Sequence, residues 1–245
     1  MSSSILFIFE GEKTEVQIYE SLKRSFSKYD QATHIYATFN ADVYELYRQL
    51  KEDEFLDLIE IIRGKTDKNK ALLQGVYRDD VSEIYLFFDY DGHATKASNE
   101  DCKKLLSHFN EETENGKLYI SYPMVEALKH LKQDVCFKET VAVIEDGSGY
   151  KKRVSENCDN EYLHLNKLTT EVWNKIITLH SWKLNFIVNG EYSFPERYIS
   201  QEEIFDSQLQ KYIDPKGEVA VLSAFPVVIL DYYGVEKFRV GISDV

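Results

Sequence analysis

At 245 residues the chain can fold as one generous domain, or as a core domain carrying a sizeable insertion. Its 42 acidic against 29 basic residues leave a formal net charge of -13, which counts against coating nucleic acid by charge alone but leaves a metalloenzyme open. No apolar run has the length of a membrane span, MSSSILFIFEGE lacks the basic start of an export signal, and Cys102, Cys136 and Cys158 show no CxxC spacing. A cytoplasmic protein without disulfides, a zinc site or a membrane partner is expected.

Ile5 to Phe9 is a short, wholly apolar run, as expected of a strand buried on both faces. Gly11 breaks it, and Thr14 reads as a helix N-cap with Gln17 in the capping-box position. Val16, Tyr19, Leu22 and Phe26 then fall at helical spacing. His34 to Phe39 reads as a second strand, and Val43, Leu46, Tyr47 and Leu50 give the next helix its stripe. Residues 55 to 80 are helical but less regular. Ile84 to Phe88 is the most strand-like segment, closed by Asp89-Tyr90-Asp91-Gly92. A polar helix over 97 to 110 leads through Asn115-Gly116 into the strand Lys117 to Ser121, and Pro123 opens a helix bearing Leu128 and Leu131.

Alternation of this kind predicts an α/β fold with a mainly parallel sheet flanked by helices over residues 1 to 134. Residues 135 to 215 read as a mainly helical insertion or subdomain, with helices around Trp173 and Phe205. Within it Ser148-Gly149-Tyr150-Lys151-Lys152-Arg153 reads as a mobile basic loop. Over 216 to 245, Val219 to Leu222 and Val227 to Leu230 resume strand character and are expected to pack back on the core.

In an open parallel sheet, ligands gather where the strands end and loops leave for the helices. Glu10 ends the first strand, Asp89 and Asp91 end the central one, and Glu126 follows the strand ending at Ser121. Carboxylates meeting along one edge suit Mg²⁺, a hard ion that takes oxygen ligands and leaves room for water and phosphate. Such an ion activates water and stabilises a departing oxygen in an in-line displacement. Glu10 reads equally as ligand or proton-handling group. Bland readings stand beside these: Glu126 as a helix cap or solvated loop residue, Glu12 and Glu15 as first-turn acids, and His93 as solvated. Lys13, Lys96 and the 151 to 153 run read either as backbone-phosphate contacts or as solvated charge.

An apolar strand ending in Phe9-Glu10-Gly11, followed by one ending in Asp89-Tyr90-Asp91, resembles the TOPRIM domain of topoisomerases, bacterial primases and OLD (overcoming lysogenization defect) nucleases. Glu10-Gly11-Glu12-Lys13-Thr14-Glu15 is similar to the TOPRIM-type proteins of anti-phage defence loci, the RloB-like group included. The likeness covers about residues 3 to 132. It implies a Mg²⁺-dependent nuclease, with Mn²⁺ able to substitute, acting on DNA or on RNA such as tRNA. It also implies an ABC- or AAA-type ATPase partner and allows a homodimer.

By the same resemblance Glu10, Asp89 and Asp91 are the catalytic metal-binding set. Ser121 and Glu126 are counterparts of a Ser and Glu that hold a second metal. Apart from the resemblance, Lys13, His93 and Lys96 are candidate contacts to a substrate's phosphates, and Glu15 is a candidate for reaching a second metal. Glu15 departs from the pattern, lying five residues after Glu10 where the family's second glutamate lies four after the first. Phe88-Asp89-Tyr90-Asp91-Gly92 also resembles the nucleophile motif of haloacid-dehalogenase-type phosphatases, in which Asp89 attacks phosphorus. That motif normally opens its domain and continues with Thr or Val, whereas His93 follows here. A TOPRIM-like regulatory module without catalysis is the third reading.

Overall fold

The computed structural model describes residues 4–26, 32–52, 57–90 and 99–240. The core opens with β1 (Ser4–Phe9), α1 (Thr14–Phe26), β2 (Thr33–Thr38), α2 (Val43–Glu52), α3 (Leu58–Lys65) and α4 (Asp67–Leu72). It continues with β3 (Val81–Asp89), α5 (Asn99–His108), β4 (Asn110–Glu111) and β5 (Gly116–Ser121). The five strands lie in the order β2-β1-β3-β5-β4, and only β4 runs antiparallel to its neighbour. The α/β fold class read from the sequence is the one observed.

Both faces of this sheet are covered, which is why its strands are apolar without alternation. On one face Phe7, Phe9, Tyr85 and Phe87 form a ring stack with Tyr19 of α1, and Phe87 lies 4.7 Å from Phe225 between centroids. On the other, Phe88 meets Phe39 edge-on, and Leu6, Ile8 and Leu86 are fully buried. The outer edge of β2 ends on Asn69, whose amide donates to the Thr38 carbonyl at 2.6 Å and accepts from the Thr38 N–H at 3.3 Å. A side chain thus takes the place of a further strand at that point.

After β5 come a 3₁₀ turn (Val125–Lys129), β6 (Val141–Val143), α6 (Ser148–Asn157), α7 (Asn160–Leu163) and α8 (Thr170–Asn189). The chain closes with α9 (Gln201–Gln208), α10 (Asp214–Lys216), β7 (Glu218–Ala220), α11 (Ala224–Tyr233) and α12 (Val235–Val240). Among the described residues no helix is long and apolar enough to cross a membrane.

Several local expectations need correction. The strand near Val219 exists, but it pairs with β6 in a separate two-stranded ribbon, and a Tyr122–Leu222 bridge joins that stretch to the end of β5. Val227 to Leu230 is helical, within α11, and buried against the sheet and α8. Its β-branched run is apolar on all sides, so periodicity alone does not separate it from a buried strand. Pro226 sits in the first turn of α11, where a missing N–H costs no helical bond.

Residues 148 to 157 form α6 rather than a loop. Helix α1 begins at Thr14 itself, with the Lys13 carbonyl accepting from Gln17 N–H at 3.1 Å, so Thr14 lies one residue inside the predicted cap. The segment after Pro123 makes a single 3₁₀ turn instead of a full helix.

Candidate functional site

The sheet order makes a topological switch between β1 and β3. From β1 the chain crosses to β2 on one side, and the later strands add on the other. Connections diverge there and leave a crevice at the strand ends. Parallel register aligns Phe9 with Phe87 and Asp89 with Ser121, so Glu10, Asp89 and the segment after Ser121 leave the sheet at the same edge.

Glu10 continues the ladder through its N–H, donated to the Phe87 carbonyl at 3.0 Å. Its Oε2 then accepts from the Asp89 N–H at 2.9 Å, which ties the two acidic positions directly. Asp89 is half-buried, and its carboxylate accepts a hydrogen bond from the Val125 backbone. Burial, first, and then the neighbouring Glu10, Glu15 and Glu126 raise its pKa well above the ordinary carboxylate range.

Glu15 is buried in the first turn of α1 and reaches back so that Oε1 accepts from the Gly11 N–H at 3.2 Å. Burial raises its pKa too, opposed by hydrogen bonds from the backbone at Glu15 and Gly11 and by the Lys151 charge, and reinforced by Glu126. Gly11 has a steric reason: a Cβ there would sit 2.9 Å from Glu15 Oε2. Glu126 comes from the 3₁₀ turn, is only 3% exposed, and pairs through Oε1 with Lys151 Nζ at 2.8 Å.

Four of the carboxylates singled out in the sequence therefore act on one another across the strand ends. Other positions do not join them. The Ser121 hydroxyl is buried and accepts from the Ala224 N–H at 3.2 Å, at the start of α11. Lys13 is exposed just ahead of α1, and Glu12 accepts from Asn40 Nδ2 at 2.6 Å. Asp91, Gly92, His93 and Lys96 lie outside the described residues.

Lys151 was not singled out by sequence reasoning except as part of a basic run. Its partner lies twenty-five positions earlier in sequence on a different element, so no local pattern reports the contact. Tyr150 was likewise missed; it is buried, and its hydroxyl lies 2.9 Å from His130 Nδ1 behind the acidic group.

Among the described residues no three His, Cys, Asp or Glu side chains converge as a finished metal cage. The donor chemistry nevertheless suits a hard divalent cation, since every contributed group is a carboxylate and one of them already holds a cation, the Lys151 ammonium. Comparisons with protein-family models, with curated proteins and with solved structures found nothing that matches this chain.

Proposed function

We propose that this protein is a Mg²⁺-dependent nuclease, with Mn²⁺ able to substitute, that cleaves phosphodiester bonds of DNA or RNA, tRNA included. The observation that carries the reading is the meeting of Glu10, Glu15, Asp89 and Glu126 at a sheet switch point, where burial and like charge push the Asp89 carboxyl up. Carboxylates crowded in this way are unfavourable alone and become favourable around a cation. Glu10, Asp89 and Asp91 would hold the ion, with Glu126 and Glu15 beside them. The ion, when bound, supplies an activated water and charge stabilisation for the leaving oxygen.

The chain's own groups have distinct tasks. Glu10 is oriented by the Asp89 N–H, and Asp89 by the Val125 N–H. Glu15, buried and with its pKa raised, is the more basic for it, and its ionised form is suited to take a proton from the attacking water. Lys13 is free to meet the substrate backbone, and His93 and Lys96 are assigned the same role by sequence. The observation that favours this reading over direct attack on phosphorus by a phosphatase-type aspartate is the set of carboxylates around Asp89, with Glu10 accepting from the Asp89 N–H at 2.9 Å. An anti-phage effector governed by a partner ATPase is the setting that the sequence resemblance suggests.

The test is cleavage of labelled single-stranded DNA, duplex DNA and total tRNA in Mg²⁺ or Mn²⁺ against EDTA, with and without any ATPase encoded beside the protein. Metal-dependent cutting that disappears in Glu10→Gln and Asp89→Asn is the expected outcome, and the substrate that is cut names the class. Full activity in either variant overturns the site. Hydrolysis of a small phosphate ester instead, dependent on Asp89, transfers the case to the phosphatase.

A further inference from the structure

The ion pair between Lys151 and Glu126 joins an exposed partner to a buried one: Lys151 is 61% exposed and Glu126 3%. Exposed ion pairs contribute little, but a carboxylate buried to this degree and left without a cation is costly. The Lys151 charge also acts on Glu15 and Asp89, so its ammonium lies over the group as a whole and not over Glu126 alone.

The helix that carries Lys151 is held in place by other contacts. Tyr150 is locked to His130, Ser155 Oγ accepts from Lys129 Nζ at 3.1 Å, and Arg153 pairs with Asp146. The backbone of α6 is therefore fixed, and only the long flexible stem of Lys151 is free to leave Glu126. Lys152, the next residue, is 79% exposed and faces Glu156 on its own helix.

We infer that Lys151 is an internal cation of the acidic site, which occupies Glu126 until a divalent ion displaces it. This rests on the proposed metal-binding reading. The ammonium and a divalent ion compete for the same oxygen, so entry of the ion frees a positive side chain at the rim of the crevice. Metal affinity is thereby set by a residue that is no metal ligand.

The experiment is calorimetric titration of the full chain with Mn²⁺, without nucleic acid, comparing wild type with Lys151→Met, Lys151→Arg and Lys152→Met. Circular dichroism confirms that each variant is folded, which the exposure of both lysines favours. The expected result is Mn²⁺ binding about tenfold tighter in Lys151→Met, the scale on which a neighbouring unit charge moves an ionic equilibrium. Lys151→Arg should return to the wild-type value, and Lys152→Met should not depart from it. Equal affinity in wild type and Lys151→Met overturns the competition while leaving the nuclease reading intact. Equal tightening in Lys151→Met and Lys152→Met also overturns it, because the effect would then be one of general charge. No Mn²⁺ binding in any variant overturns the metal reading itself, and this inference with it.

Discussion

Two regions among the described residues bury charge in opposite ways. At the strand ends, Glu10, Glu15, Asp89 and Glu126 crowd like charges together with the Lys151 ammonium against them. Under α8, Lys183 is fully buried, yet its Nζ donates to the carbonyls of Phe137 at 3.1 Å, Lys138 at 2.5 Å and Thr140 at 3.0 Å. One turn before it, His180 is also fully buried and accepts from the Ser223 N–H at 3.2 Å. A buried charge whose donors are all used is part of the scaffold; one surrounded by its own sign has a use still to come. Burial draws the Lys183 ammonium down to about 7, and the three carbonyls fix it in place.

If that contrast is right, the largest stability loss comes from the satisfied group. Lys183→Met leaves the Lys138 carbonyl without this donor, while the Phe137 carbonyl keeps the Thr140 N–H and the Thr140 carbonyl keeps the Val221 N–H. Chemical denaturation should show a loss of about 3 kcal/mol, within the range for breaking a buried polar network. A loss below about 1 kcal/mol would make Lys183 no more than a surface-like contact and dissolve the comparison.

The pH dependence separates the two regions by sign. His180 and His130 are pushed down by burial to about 3 and about 4. Their unfolded forms titrate near 6.5 and bind more protons between that value and their folded values, so stability rises with pH there. Their contribution is complete above about pH 6.5 and is lost as pH falls toward 4, by roughly 3 kcal/mol for each histidine. Asp89 and Glu15, raised in the folded state, act the other way: what they contribute is complete below their unfolded values and is lost as pH rises through the folded ones. Denaturation midpoints from pH 4 to 8 without divalent ions would read the sum.

Asp89→Asn sharpens this, because it removes one opposing contribution and keeps an acceptor for the Val125 N–H. The variant should gain about 1 kcal/mol at pH 7 without divalent ions, and its stability should climb more steeply with pH than that of the wild type. Added Mg²⁺ should stabilise the wild type and leave the variant nearly unmoved. A variant that is less stable than wild type without metal would mean that Asp89 is held by interactions stronger than the repulsion around it.

The contrast also marks what could be read from the chain. The strand ends were legible because β1, β3 and β5 are short apolar runs that stop at Glu10, Asp89 and Ser121, and parallel topology brings such ends to one edge. The region under α8 was not, because Lys183 and His180 look like ordinary polar positions in an amphipathic helix until the 137 to 140 turn is packed on them. Val227 to Leu230 was misread for a related reason: an element apolar on every side has no period to report, and tertiary packing decides whether it coils. Helix α6 was missed because its ordering contacts, Tyr150 with His130 and Lys151 with Glu126, reach back to the turn after β5.

The smallest effect concerns Gly11, and it bears on why Glu15 stands five residues beyond Glu10. From the first turn of α1 its carboxylate folds back over Gly11, accepting that residue's N–H, in a space that any Cβ would enter. The atoms that Ala would strike are the far end of a flexible side chain, so Gly11→Ala should cost under about 1 kcal/mol in stability. It should nonetheless displace Glu15 and change Mn²⁺ affinity about as much as Glu15→Gln does. In the double variant the two effects should then fail to add, since both act through the same carboxylate. Additive changes would mean that Gly11 serves something other than Glu15, and the acidic group would shrink to Glu10, Asp89 and Glu126.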